Sequence, residues 1–260
     1  MRYDVFPFFN ELDLAELRFK ELEDVVDYWV VSEFTETHSG LRKALFFQDY
    51  NGRFRRWKDR IIHHVGTFHV DTPDPKMRER EQRNAVKAIL QPNPDDIITY
   101  TDCDEIPHPS AYQRFKPERC VAALDMAGFC YYLNGRRYIR KRYPKICTGA
   151  TWTGALPYNL RFDNFQSDMT EWYCPYTVSP GGWHFTWLGT RRNRIKKAMS
   201  YCHAKDKQTS RLLKDLQHNE LSDEFQITVV SIDKRWPRTV LNNREHYRSL
   251  GWIADVPTKS

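Results

Sequence analysis

The sequence predicts an α/β fold, a single domain around a central and mostly parallel sheet, and three stretches carry that prediction. Residues 3–9 read as a strand, Leu12, Ala15, Phe19 and Leu22 then recur at helical spacing, and residues 25–31 form a continuous apolar run. Parallel strands are covered on both faces and read as such runs, so the three together make a β-α-β opening.

The elements follow in order. Asn10 stands where a helix N-cap is expected, with Glu11 and Asp13 placed to complement the helix dipole. The second strand ends at Ser32 and Glu33 and gives way to a polar loop, Thr35, Glu36, Thr37, His38, Ser39 and Gly40. Loops at strand carboxyl ends carry the ligands of open α/β sheets. Residues 60–65 are a third strand, after which Asp74 and Pro75 mark the cap and first residue of a helix running to about Leu90. That helix places Arg78, Glu79, Arg80, Glu81, Arg83 and Asn84 on its exposed faces.

Residues 97–100 then form a β-rich run that ends in Asp102-Cys103-Asp104-Glu105-Ile106-Pro107. Strict alternation of strand and helix stops there. Strand-like pieces occur at 121–133 and 173–178, and residues 180–187 read as a glycine turn followed by an alternating aromatic strand. Ile195, Met199 and Cys202 suggest a basic helix, and residues 236–250 a closing one. No linker divides the chain, so one domain is expected, with residues 1–107 as its nucleotide-binding half and 108–260 as the half that receives a second substrate.

The composition fits this. In 260 residues, an apolar fraction of 40% with 15 Phe, 14 Tyr and 8 Trp supplies a core, while a mean hydropathy of -0.72 gives a charged surface. The net charge of +6 comes from clusters such as 136–145 and 191–197, which attract phosphates. No apolar run approaches a membrane span and the chain leads straight into strand-like sequence, so a soluble, cytoplasmic protein without a membrane span is expected. Its six cysteines include no C-x-x-C pair, which disfavours a zinc site and favours reduced thiols.

The chemistry concentrates at the end of the 97–100 strand. Side chains alternate along a strand, so Asp102 and Asp104 point to one side and Cys103 into the packing. Magnesium or manganese held by one or two carboxylates keeps its other positions for water and substrate phosphates. An acidic turn capping the next element is the plainer reading of a bare D-x-D pattern. The apolar strand before it, the β-α-β opening upstream and Pro107 after it favour the metal.

Phe8-Phe9-Asn10-Glu11, Asp24-Val25-Val26-Asp27, Asp102 through Pro107 and Gly182-Trp183-His184, in this order between about residues 4 and 250, resemble glycosyltransferase family 17. The resemblance implies a GT-A-type nucleotide-diphospho-sugar transferase fold and inverting transfer of a sugar, N-acetylglucosamine, from a UDP-sugar to a glycan hydroxyl. It also implies dependence on Mn2+ or Mg2+, with Asp102 and Asp104 as the family's D-x-D pair. His184, behind two glycines, is then a metal or pyrophosphate contact, against the alternative of a core histidine.

Inverting transfer needs a base for the acceptor hydroxyl, and Glu105, Asp168 and Glu171 are equal candidates. Phe9, Asn10 and Glu33 lie where base and ribose bind in such folds, and Arg83 and Asn84 lie on the helix leading to the metal strand. Trp152, Trp172, Trp183 and Trp187 are candidates for sugar stacking, although core packing accounts for most of them. Arg136, Arg137, Arg140, Lys141, Arg142 and Lys145 form a basic stretch suited to an anionic glycan or lipid headgroup, or to solvent. Two other functions compete: a haloacid-dehalogenase-type phosphatase, disfavoured by Glu105-Ile106-Pro107 after the acidic pair, and a basic nucleic-acid-binding module, disfavoured by three carboxylates at the strand end.

Overall fold

The β-α-β opening is the frame of the sheet in the computed structural model, which describes residues 1–69, 72, 74–141, 144–162, 176–204, 206–217 and 226–256. Strand β1 (Arg2–Phe8), helix α1 (Leu12–Leu22) and β2 (Tyr28–Phe34) come first. Helix α2 (Phe46–Asp49) and a 3-10 segment (Asn51–Arg60) lead to β3 (Ile61–Gly66), and α3 (Pro75–Ile89) to β4 (Ile97–Tyr100). Next come β5 (Glu105–Pro107), α4 (Ala111–Arg114), β6 (Val121–Cys130), β7 (Gly135–Lys141), β8 (Lys145–Thr148), α5 (Gly149–Gly154) and α6 (Pro157–Phe162). Strand β9 (Thr177–Thr186), α7 (Arg191–Ser200), α8 (Lys207–Gln217), β10 (Thr228–Val229), α9 (Arg238–Asn242) and α10 (Arg244–Ser249) complete the chain.

The α/β class is the expected one. Strands β4, β1, β2 and β3 lie side by side in parallel, and the sheet continues through β8, β6, β7 and β10 in antiparallel pairings. Strand β9 runs parallel to β6 and antiparallel to β5. Side-chain alternation divides β1 between two cores: Phe6 and Phe8 pack against Phe19 of α1, and Val5 packs with Val30, Ile98 and Val86. Ala15, Leu17, Phe19 and Leu22 of α1 are fully buried, each large side chain contributing about 1.5–3 kcal/mol. Asp74 caps α3 by accepting the amides of Lys76 and Met77, as its place before Pro75 predicts.

Four boundaries differ from the sequence reading. The cap of α1 is Glu11, not Asn10, and its carboxylate turns back to accept the amides of Phe9 and Asn10 at 3.3 and 3.0 Å. Strand β2 starts at Tyr28, because Val25 and Val26 close the helix through bonds to the Leu22 carbonyl while Val26 stays in the core. An apolar run that continues through a turn hides such a boundary. The closing helix is two short ones separated at Asn243.

The fourth difference bears on the site. Gly181 and Gly182 are not a turn but lie inside β9, where a Cβ on Gly182 would stand 2.1 Å from the Ile106 carbonyl oxygen and one on Gly181 2.3 Å from the Asp125 nitrogen. Gly182 also has φ +145°, and the pair is there so that β5 and β6 can close on β9. Trp183, His184 and Phe185 are therefore all buried. Of the basic stretch, Arg136, Arg137, Arg140 and Lys141 lie on β7 and Lys145 on β8, where it is buried and donates to the Arg161 carbonyl at 3.1 Å, while Arg142 lies outside the described residues. Trp152 belongs to the core. Asp168, Glu171 and Trp172 lie outside the described residues. Among the described residues, no helix is long and apolar enough to cross a membrane.

Candidate active site

The carboxyl ends of β1 and β4, together with the loop after β2, border a cleft of about 640 Å³. Its floor is the turn between β4 and β5, which carries Asp102, Cys103 and Asp104. Arg18 of α1 holds that turn from beneath. Its fully buried guanidinium makes two bonds to Asp4 of β1, at 2.7 and 2.6 Å, and donates to the carbonyls of Asp102 and Glu105 at 2.8 and 2.9 Å. A fork fixed at both ends sets backbone geometry as well as charge. Burial alone would lower the Arg18 pKa, but the Asp4 carboxylate outweighs it and raises it.

The carboxylates above the turn fall into two clusters. In the first, Asp102 lies between two arginines, with Oδ1 2.8 Å from Arg83 Nη1 and Oδ2 2.7 Å from Arg161 Nη2. Arg161 also grips both oxygens of Glu105, at 2.8 and 2.9 Å, and Arg83 grips Glu79 at 2.9 Å. Burial would raise the Asp102 carboxyl, yet Arg161 and Arg83 hold it far below the usual range. In the second, Lys197 of α7 donates to Asp104 Oδ2 at 2.8 Å and stands 3.4 Å from Glu11. His184 Nε2 faces Asp104 Oδ1 across 3.7 Å. Burial is again outweighed: Lys197 and His184 lower the Asp104 carboxyl, and Asp104 and Glu11 raise the Lys197 ammonium.

The three residues expected to share a metal are thus divided. The gap between Asp104 Oδ1 and His184 Nε2 is too wide for a hydrogen bond, and a carboxylate oxygen and an imidazole nitrogen that face each other are groups that can ligate a divalent ion. Asp102 instead has both oxygens on arginines. Among the described residues no group of three His, Cys, Asp or Glu forms a full protein cage. That donor set suits magnesium or manganese, which complete their shells with water and phosphate.

The remaining predicted residues sort by position. Phe9, Arg83, Asp102, Asp104 and His184 line the cleft. Glu33 sits below it, fully buried, where it accepts the amides of Phe47 and Gln48 and pairs with Lys43 at 3.1 Å. It caps α2 and holds the loop; a ribose contact is not where the structure places it. Asn84 turns to the amide of Tyr158 at 3.0 Å, and Asn10 is not among the lining residues. Glu105, a candidate base, is 1% exposed and fully engaged by Arg161, and its Oε2 also accepts the Asp102 amide at 2.8 Å, so it anchors the first cluster.

Sequence reasoning missed four contributors. Arg161 sits between Leu160 and Phe162, and an arginine in an apolar segment is its only signal. Lys197 was visible only as part of a basic cluster, and Arg18 lay unnoticed on the buried face of α1. His38, which the sequence places in the ligand-carrying loop after β2 without a role of its own, is the fourth. Gln82 Nε2 donates to the Ser32 carbonyl at 3.1 Å, so its Oε1 must be the atom facing His38 Nε2 at 2.7 Å. That nitrogen then carries the proton and leaves Nδ1 as an acceptor, while burial lowers the ring's pKa and keeps it neutral.

With this geometry in place, the likenesses to known proteins can be weighed. A human β-1,4-mannosyl-glycoprotein 4-β-N-acetylglucosaminyltransferase is 32% identical over 232 residues, covering 74% of this chain and 41% of that protein. The rat enzyme of the same name is 24% identical over the same coverage. The chain therefore spans about two fifths of the length of these curated relatives. Among solved structures, S. aureus TarS 1-349 aligns with 86% of this chain and 73% of its own, at 11% identity and a TM-score of 0.39. The description of one family, glycosyltransferase family 17, matches residues 2–220, a span that contains the acidic turn, both arginines of the first cluster and the whole of the second, and it is to this family that the chain belongs.

Proposed function

We propose that the cleft transfers a sugar from a UDP-sugar to a glycan hydroxyl, with inversion at the anomeric carbon. N-acetylglucosamine as the donor sugar follows the name of the human and rat relatives. The observation that carries the proposal is the Asp104, His184 and Lys197 cluster at the strand end, where a carboxylate, an imidazole and an ammonium converge in a cleft large enough for a nucleotide sugar.

The nucleotide would lie with its base against Phe9 and its N–H or O–H groups toward His38 Nδ1. Lys197, whose flexible stem lets it leave Asp104, would stand beside the diphosphate together with Arg83, which Asp102 and Glu79 hold in place. Asp104 and His184 would hold a magnesium or manganese ion, which neutralises the departing diphosphate when bound. Arg161 and Arg18 keep the turn rigid, so the charges are in place before the glycosidic bond breaks. The acceptor hydroxyl loses its proton to Asp168 or Glu171, in the acceptor-binding half 108–260, whereas 1–107 holds most of the donor.

Calorimetry of the chain with UDP and manganese tests this. The wild type binds UDP more tightly with manganese than without, and Asp104→Ala loses at least about tenfold in affinity, near 1.4 kcal/mol, while remaining folded. Equal affinity in wild type and variant would sink the proposal. A parallel screen of UDP-, GDP- and CMP-sugars identifies the donor.

A further inference from the structure

A second cleft, of about 800 Å³, lies on the other side of β9 from His184, with Trp183 in its floor. Arg137 lines both clefts. Four cations border the second one, Arg136, Arg137, Lys234 and Arg235, against Asp125 within it and Asp233, which pairs with Arg235 at 2.6 Å. Among the described residues neither Arg136 nor Lys234 forms an ion pair, although the Asp233 carboxyl is lowered by Arg235 and also by Lys234. The Arg136 guanidinium rests over the rings of Phe129 and Tyr138, at 5.2 and 5.8 Å, and Tyr138 is 76% exposed.

Trp183 and Trp236 are buried and donate their indole N–H groups to the carbonyls of Arg235 and Leu133, each at 2.8 Å, so they form the packed floor of the cleft, and its open aromatic face is that of Tyr138. An exposed tyrosine ring beside a cluster in which cations outnumber carboxylates suits sugar rings that bear negative charge. We infer that the second cleft binds an anionic saccharide, the carboxylate- or phosphate-bearing part of a glycan acceptor whose reacting hydroxyl reaches the first cleft past Arg137. The acceptor role rests on the transferase reading; the anionic-saccharide site does not. The cations are gathered in one concavity with Tyr138 at its rim and do not track along a face, which favours a saccharide over a nucleic acid strand.

The test is calorimetry of the full chain with a hyaluronan tetrasaccharide, which carries two carboxylates, against the neutral chitotetraose and a thymidine trinucleotide of the same charge. The hyaluronan fragment binds, the two controls bind at least about tenfold more weakly, and added salt weakens binding. Arg136→Gln with Lys234→Gln loses about tenfold for hyaluronan, Tyr138→Ala at the exposed rim also weakens it, and Asp104→Asn leaves it unchanged. Equal binding of chitotetraose, equal binding of the trinucleotide, or an unaffected double variant overturns the inference. Should UDP and manganese fail to bind while the hyaluronan results hold, the transferase reading falls and the anionic-saccharide site stands.

Discussion

Asp102 and Asp104 are two residues apart in one turn and end in opposite settings. Asp102 is clamped by two guanidiniums that are themselves held by Glu105 and Glu79, so all of its partners are rigid forks tied into the scaffold. Asp104 meets one flexible ammonium and, across a gap, one imidazole. Equal spacing in sequence has produced one structural carboxylate and one that can change partners. An ammonium on a flexible stem can leave its carboxylate for another anion at little cost, whereas freeing Asp102 would disturb two buried guanidiniums that are also tied to Glu105 and Glu79.

The largest effect that tests this contrast is on stability. Arg161→Ala strands the carboxylate of Glu105, 1% exposed, and frees one side of Asp102, so the chain loses about 3–5 kcal/mol in urea unfolding. A loss below about 1 kcal/mol would show that the first cluster is not structural. His184→Ala acts in the opposite way. It lowers manganese-dependent UDP affinity and turnover roughly 10–100-fold while melting changes little, as expected for a side chain that positions a metal. A collapse of the melting temperature instead would make His184 a core histidine, the alternative open from the sequence.

The same contrast marks what the sequence could reveal. The parallel half was legible because its signals are local: the β-α-β periodicity, the Asp74-Pro75 cap and the apolar run into Asp102 all operate within a few residues. The second half was less so. Gly181 and Gly182 mimic a turn, and only the approach of β5 and β6 shows why a strand needs them. In the site, Asp104 and His184 could be named from motif and strand end. Their partners could not, since Arg161 meets Asp102 across 59 residues and Lys197 meets Asp104 across 93, through pairings that exist only once the sheet has formed. Glu33 and Asn84 turn away from the cleft for the converse reason: a strand end and a helix position fix where they begin, and nearby amides take their side chains.

The smallest predicted effect concerns His38, which stands beside the first cluster through Gln82, Glu79 and Arg83. Burial lowers its pKa in the fold below the ordinary 6.5, so between the folded and unfolded values the unfolded chain binds more protons. Stability therefore rises with pH through this window and falls as the solution is acidified below about 6.5, with a slope from this group of at most about 1.4 kcal/mol per pH unit. His64 and His108 are lowered as well and contribute the same sign, so the wild-type slope alone does not isolate His38. The difference between wild type and His38→Gln does: the variant keeps a polar partner for Gln82, and its unfolding free energy falls less between pH 7 and pH 5. Identical slopes would mean that the ring titrates alike in the folded and unfolded chain, so that burial does not hold it neutral and does not reserve Nδ1 as an acceptor for the nucleotide.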